Sequence, residues 1–384
     1  MSDLNQRQAV FLYSEQLENY AYPSSCPFKT DRASKTRKTL ASMGMLSGTG
    51  KKEMDFAAAD RSTLERFHTP RYLDALQRSE TGDWDIEALH MGIGGPDTPV
   101  FNGMYGYGAM AAGASLMGAK QLLSGEADIV FNPAGGLHHA QPELAAGFCY
   151  INDVVFACKH LAENGKKVLY LDIDVHHGDG VQNAFYNQSD VFTISLHESG
   201  RTLFPGTGFV QEIGSDEGEG YSVNIPLPLD TYNGAYMRCF NEIVVPLISA
   251  YNGDVIVLEL GADALSGDPL AHIKLTNEVF RKVLEFLLDL QKPILVTGGG
   301  GYHVENTVRA WSLAWSVLVG HHDQAEAINF GLGGVMLEST DWMGGFQDHE
   351  IPVTQLQKRS VDPVIESIIK KIKETVFPIH GLKS

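Results

Sequence analysis

Five short, mostly apolar runs recur along the chain: DIVFNP (128–133), KVLYLDIDV (167–175), VFTISLH (191–197), DVIVLELGA (254–262) and KPILVTGGGG (292–301). A strand that lacks polar alternation is covered on both faces, and such strands separated by amphipathic helices build a mostly parallel sheet. The expected fold class is therefore α/β, with a mostly parallel sheet flanked by helices and the alternation running from about residue 55 onward. Binding sites in such sheets lie beyond the carboxyl ends of the strands. Helices are expected over 150–165, closed by Gly165, and over 276–291, opened by Thr276 as a cap and stopped before Pro293. A third, over 233–253, should kink at Pro246. No repeat, low-complexity tract or linker divides residues 1–384. A single domain is expected, with 321–384 a peripheral segment carrying one helix near 362–375.

Charge and cysteine content narrow the partners. With 29 basic against 47 acidic side chains, the formal net charge of −18 has the wrong sign for a phosphate backbone, so nucleic acid is not expected as a partner. Cys26, Cys149, Cys158 and Cys239 are widely spaced without a C-x-x-C pair, which indicates neither a zinc knuckle nor a disulfide framework. The opening MSDLNQRQAVFLYSEQ lacks a secretory signal's basic and long apolar regions, and no apolar run reaches membrane-span length. A soluble cytoplasmic protein with reduced thiols and no membrane partner is the expectation.

The chemistry concentrates where one strand ends. LYLDIDVHHGDG (169–180) places three aspartates and two histidines within eight positions, and strand alternation would put Asp172, Asp174 and His176 on one face. Burying three ionisable groups together is costly unless they are paired or bind a cation. A catalytic zinc takes three N or O ligands and keeps a position open. Asp174 and His176 offer two, and Asp263, directly after DVIVLELGA, is better placed for the third than Asp268 further along that loop. Fe(II) suits the same ligands. His138 and His139 follow another strand in NPAGGLHHA, and Asp172 and Asp179 remain to accept a hydrogen bond from each imidazole. The glycines of PILVTGGGGYH have no Lys at P-loop spacing, so they are read as freedom to set Tyr302 beside a bound carbonyl, where its phenol can donate to a developing oxyanion.

Taken together, FNPAGGLHHAQPELAAGFCYIND, LYLDIDVHHGDGVQNAFY, TISLHESGRTLFPGTG, LELGADALSGDPL and TGGGGYHVENTVRAWS resemble the zinc-dependent histone deacetylase family, including its bacterial deacetylase-like amidohydrolases and acetoin-utilisation proteins. The resemblance runs in order over about residues 8–320. It implies the arginase-deacetylase fold, with Asp174, His176 and Asp263 as zinc ligands. It also implies His139, backed by Asp179, as general base and then acid, His138, backed by Asp172, as a partner that orients water, and Tyr302 as the oxyanion donor. Gly147, Phe148, Phe204 and Leu270 would line the acyl-lysine channel, and Arg32 a cavity for acetate release. Structural potassium would take Asp172, Asp174, His176, Ser195 and Leu196 at one site, and Phe185, Gln188, Val191 and Tyr221 at a second.

This sequence departs from the family at Cys26, where many relatives carry His, and at Ala146, where Ser is common. Both bear on the first loop and the channel rim. The family's substrate-gripping rim aspartate has two candidates here, Asp83 and Asp85 in TGDWDIEALHMG. The implied activity is removal of acetyl or another short acyl group from lysine side chains of proteins or peptides. A polyamine deacetylase of the same superfamily is the alternative enzyme reading, and a silent acyl-lysine binding module the non-enzyme one. A two-metal ureohydrolase lacks its second Asp beside Asp263 and leaves Tyr302 and the tandem histidines without a role.

Overall fold

The structure, a computed structural model, describes residues 7–321 and 345–383. The strands are β1 Ala9–Leu12, β2 Lys51–Met54, β3 Ile129–Asn132, β4 Val168–Asp172, β5 Val191–Glu198, β6 Ser222–Leu227, β7 Val255–Glu259 and β8 Ile294–Thr297. Among the described residues these eight form one sheet in the order β2-β1-β3-β8-β7-β4-β5-β6. Every neighbouring pair is parallel.

Alternation along these strands feeds two helical layers. A Cβ built on Gly118, in the helix Met104–Ser124, would touch Leu12, Val130 and Leu295, so those side chains face that helix. Their neighbours point the other way: Phe11 and Phe131 pack edge-on or stacked against Trp311 and Trp315 of the helix Val304–Leu318. Both layers exclude water from every strand but the half-exposed edge strand β2, which is why the inner strand segments read as continuous apolar runs.

The expected doubly covered parallel sheet is what the chain forms, but several local expectations need correction. The sheet begins before residue 55, because β1 and β2 already pair at its edge. The strand expected through Val175 leaves the ladder after Asp172, so Asp174 and His176 sit in bends beyond it and not on a regular strand face. Thr276 is not the cap of the helix Glu278–Asp289; Asn277 holds that position and the Thr276 hydroxyl accepts from Asn233. Over 233–251 the kink expected at Pro246 is spread into a π-helical turn, Phe240–Val244, between two α segments, a wider winding that absorbs the amide the proline lacks. The peripheral helix is longer than expected, Gln355–Thr375, and Pro363 lies inside it. Residues 322–344 of that peripheral segment lie outside the described residues. The four cysteines are buried free thiols, and no helix among the described residues is long and apolar enough to cross a membrane.

Candidate active site

Four adjacent strands at the middle of the sheet, β3, β8, β7 and β4, release their loops at one end, and those loops carry His138 and His139, Tyr302, Asp263, and Asp174 with His176 respectively. The donor atoms of Asp174, His176 and Asp263 lie within 4.8 Å of one another, all buried. His176 Nδ1 is 2.9 Å from Asp263 Oδ2 and 3.2 Å from Asp174 Oδ1. Backbone amides fix both carboxylates: Gly300 N donates to Asp174 Oδ2 at 2.7 Å, and Val175 N to Asp263 Oδ1 at 3.0 Å. A Cβ on Gly300 would fall 1.9 Å from Asp263 Oδ2, so the polyglycine loop must lack a side chain there for the carboxylates to converge.

Charge crowding shows in the titration of this group. Burial and the Asp174 charge raise Asp263 to about 7. At Asp174, burial is outweighed by His138 and His176, and the pKa is lowered. At His176, burial is outweighed by Asp263 and Asp174, and the pKa is raised to about 10. Two buried carboxylates pressed on one imidazole make a site that a divalent cation relieves, and its N/O/O donor set fits the three protein ligands of a catalytic zinc.

The tandem histidines are clamped from behind. Gly136 N and Leu137 N donate to the buried Asp153 carboxylate at 3.0 and 2.7 Å, and Asn152 Nδ2 donates to the carbonyls of His138 and Ala140. Each imidazole has its own acid: His138 Nδ1 lies 3.0 Å from Asp172 Oδ2, and His139 Nδ1 lies 2.8 Å from Asp179 Oδ1. The two Nε2 atoms face each other at 3.0 Å. Burial and the neighbouring His138 lower His139 to about 4 in spite of Asp179. Burial also pulls His138 down, but Asp172, Asp174 and Glu259 outweigh it and hold its pKa well above the ordinary value. The pair is thus polarised, one ring neutral and one charged.

Asn152 is itself held by a histidine the sequence did not single out. Its backbone N–H donates to His68 Nε2 at 3.1 Å, a bond that only a neutral imidazole with its proton on Nδ1 accepts. Burial lowers His68 from 6.5 to about 4. The unfolded chain therefore binds this proton near 6.5 and the folded one only near 4. The stability contribution is complete above the higher value and lost progressively toward the lower, by roughly 3 kcal/mol. We expect urea midpoints to fall from pH 7 to pH 4.5, and His68→Gln, whose amide oxygen can take the Asn152 bond, to reduce that fall; an unchanged slope would show that His68 is not the titrating group.

Tyr302 closes the far side. Its ring centroid is 6.1 Å from that of His176 and 5.5 Å from that of Phe148. Burial, then Asp263 and Asp174, push its phenol well above the usual range, so it carries its proton at neutral pH. Asp268, unused by the carboxylate cluster, instead accepts from Tyr302 N at 2.7 Å and Leu270 N at 2.9 Å, tying those two loops together. Phe204 packs 4.9 Å from the His139 ring, and Gly147 makes that approach feasible, since a Cβ there would lie 2.4 Å from His139 and 2.8 Å from Phe204. Arg32 is buried beneath the polyglycine loop, donating to the Gly301 and Gly299 carbonyls at 2.8 and 3.0 Å with Phe28 and Trp311 against its guanidinium.

Two carboxylates near the site were missed in the sequence. Glu259, the last residue of β7, is fully buried, and Oε2 accepts from Thr297 while Oε1 has no hydrogen-bond partner and lies 3.6 Å from His138 Nδ1. Burial, then Asp172 and Asp174, raise it well above the carboxylate range against the pull of His138. Its signal was a charge inside an apolar run. Asp97 was hidden in GGPDTP, which reads as a turn. It accepts from Gly147 N at 2.8 Å through Oδ2 and from Phe148 N at 3.1 Å through its carbonyl, holding Phe148 at φ 66°. Of the rim candidates, Asp85 caps the helix Ile86–His90 through Ala88 N, and neither Asp83 nor Asp85 shows a hydrogen bond to the channel wall. Around the expected potassium positions, Asp172 pairs in register with Ser195, whose hydroxyl lies 2.7 Å from His197 Nδ1, and Leu196 follows in β5. Phe185, Gln188, Val191 and Tyr221 lie where the helix Asp179–Phe185 gives way to β5 and where β6 begins.

The description "Histone deacetylase domain" fits residues 26–318. Histone deacetylase 3 of Oryza sativa subsp. japonica is 38% identical over 384 residues, covering 100% of this chain and 74% of that protein. Histone deacetylase 8 of Xenopus tropicalis is 40% identical over 294 residues, covering 75% of this chain and 78% of its own. Among solved structures, an HDAC homolog complexed with SAHA superposes with a TM-score of 0.82 at 29% identity, covering 95% of this chain and 99% of that one. An HDAC homolog from Aquifex aeolicus gives 0.79 at 29% identity, over 94% and 100%. By sequence along most of its length as well as by fold, the chain belongs to the histone deacetylase family of hydrolytic deacetylases.

Proposed function

We propose that the chain is a zinc-dependent amidohydrolase that removes acetyl or another short acyl group from lysine side chains of proteins or peptides. The observation that carries this reading is the polarised histidine pair, each ring backed by its own carboxylate, set beside the buried Asp174, His176 and Asp263. A zinc ion held by those three residues supplies Lewis acidity toward the acyl carbonyl and acidifies water.

The chain's own groups account for the remaining steps. Neutral His139 takes the proton of the attacking water as the new C–O bond forms, and Asp179 stabilises the imidazolium. Charged His138, beside Asp172, offsets the negative charge that develops. The Tyr302 phenol donates to the carbonyl oxygen as it becomes anionic. His139 then returns the proton to the lysine nitrogen as the C–N bond breaks, leaving a carboxylic acid and an amine that exchange the second proton of water and depart as carboxylate and ammonium. Arg32, buried with no carboxylate in ion-pair contact among the described residues, suits the departing carboxylate. We also assign the rim role to Asp97, which binds the channel wall directly, in preference to Asp83 or Asp85. Potassium beside β4 and β5 would stiffen the carboxyl ends that carry the ligands.

The test is turnover by the zinc-loaded protein on lysine peptides bearing acetyl, propionyl, butyryl and longer groups, with acetylated polyamines alongside and Fe(II) loading as a second arm. Peptide cleavage that a hydroxamate chelator stops is the expected result. Cleavage of polyamines alone would transfer the assignment to that substrate class, and bound acyl-lysine without turnover would make the chain a binding module.

A further inference from the structure

Phe204 stands on the loop Ser199–Phe209, 43% exposed, with one face of its ring against His139 and the rest of its position set by the loop that carries it. What fixes the loop is a carboxylate at each end. Glu198, the final residue of β5, is buried. Its Oε1 accepts from the Thr202 hydroxyl at 3.0 Å, two residues before Phe204, and lies 3.0 Å from His272 Nδ1. Its Oε2 accepts from His272 N at 2.9 Å, two residues after Leu270. One carboxylate therefore joins the loop carrying Phe204 to the loop carrying Leu270.

The other end is held by Glu212. It accepts from Phe209 N at 2.9 Å, Gly208 N at 3.1 Å and Gln182 Nε2 at 2.9 Å. Gln182 in turn takes Asn224 Nδ2 at 2.6 Å and the Ser222 hydroxyl at 3.0 Å, and meets His177 Nε2 at 3.1 Å, while His177 Nδ1 meets the Thr207 hydroxyl at 2.9 Å. Gly208 lies so close to His177 and His197 that a Cβ there would fall 2.3 Å from His197 Nε2. The loop is thus tied at one end to the loop that carries Leu270 and at the other to the buried network of Gln182 and His177, next in sequence to His176. Acceptors with this many fixed donors have little freedom to shift, because each lost bond in a buried site leaves an unpaired polar group.

We infer that Glu198 and Glu212 are positioning residues that set the width of the channel between Phe204 and Leu270, and through it the acyl groups the site admits. The inference rests on the channel reading proposed above. It differs from plain structural support in what it predicts: loosening the loop should change the ranking of ligands and not only lower every affinity.

The experiment measures, with zinc-loaded protein, binding of a linear-chain and a bulky-linker hydroxamate by calorimetry, and kcat and KM for acetyl and longer acyl peptides. The variants are Glu198→Ala, Glu212→Gln and the milder Thr202→Val. We expect the ratio of bulky to linear affinity, and of longer-acyl to acetyl kcat/KM, to rise by about tenfold in Glu198→Ala and less in Thr202→Val, the size of effect a methylene or two makes in an apolar pocket. Glu198→Gln, which keeps one acceptor oxygen, should restore part of the wild-type ratio. Equal losses for both ligand classes in every variant that retains cooperative unfolding would overturn the inference. Hydroxamate binding without turnover in the wild type would sink the catalytic proposal and leave the width ratio readable. No hydroxamate binding by metal-loaded wild type would overturn both.

Discussion

Tyr302→Phe should lower turnover on acyl-lysine peptides by about 10²- to 10³-fold while metal content stays at the wild-type level. The substitution removes one hydroxyl and leaves the ring that packs 5.5 Å from Phe148 and 6.1 Å from His176. Because the Tyr302 amide, not its phenol, is what Asp268 holds, the loop should keep its place. The loss should fall on kcat more than KM, since a donor aimed at a developing oxyanion is used chiefly in the transition state. Metal analysis beside steady-state kinetics checks it. A variant that loses metal together with activity would show that Tyr302 organises the cluster and is not an oxyanion donor.

Asp174→Ala should abolish both. Its carboxylate accepts from Gly300 N and His176 N, 2.7 and 2.8 Å away, so removal deletes one donor of three and frees the two loops that carry the others. Turnover should fall to background and excess zinc should not restore it. The wild-type site carries a linked prediction about protons. Asp263 is held at about 7 by burial and Asp174, so without a cation it retains a proton at and below that pH, and binding a cation must expel it. His176, raised to about 10, also holds a proton without a cation, so metal uptake should release about one proton above pH 7 and approach two below it, weakening more steeply as the pH falls through about 7. Calorimetry in buffers of different ionisation enthalpy reads the proton count; a count that does not rise as the pH falls through about 7 would contradict the crowding that raises Asp263.

Much of this arrangement was legible from residue order because it depends on periodicity and on which loops follow which strands. The runs over 128–133, 167–175, 191–197, 254–262 and 292–301 each contain a strand of the parallel sheet. Their carboxyl ends carry the histidines, aspartates and tyrosine singled out beforehand, since in a parallel sheet every such end lies on the same side. β2, KKEM, escaped notice because a half-exposed edge strand carries no apolar run, and β1, AVFL, because it has no motif or paired helix beside it to mark it, although it is as long as β3 and β8. The π turn before Pro246 escaped as well, because a proline signals only that one amide is missing and not how the neighbouring helix will rewind.

Residue order carries the class of fold and the chemical alphabet at the strand ends: carboxylates, imidazoles and a phenol in loops that had to share one edge. The remaining contacts among those groups come from how the loops pack. That packing set Asp263, the acid already favoured by its place directly after the strand, against His176, and gave Asp268 a use that residue order did not suggest, accepting from the Tyr302 amide. It brought Asp97, a turn residue by its neighbours, to the channel wall, and left the Glu259 oxygen Oε1 unpartnered beside His138. The reason is physical. Periodicity fixes the direction of a side chain relative to its own strand, whereas a hydrogen bond between loops depends on strand order and on where each chain leaves the ladder, and β4 left it at Asp172, before the bends that carry Asp174 and His176.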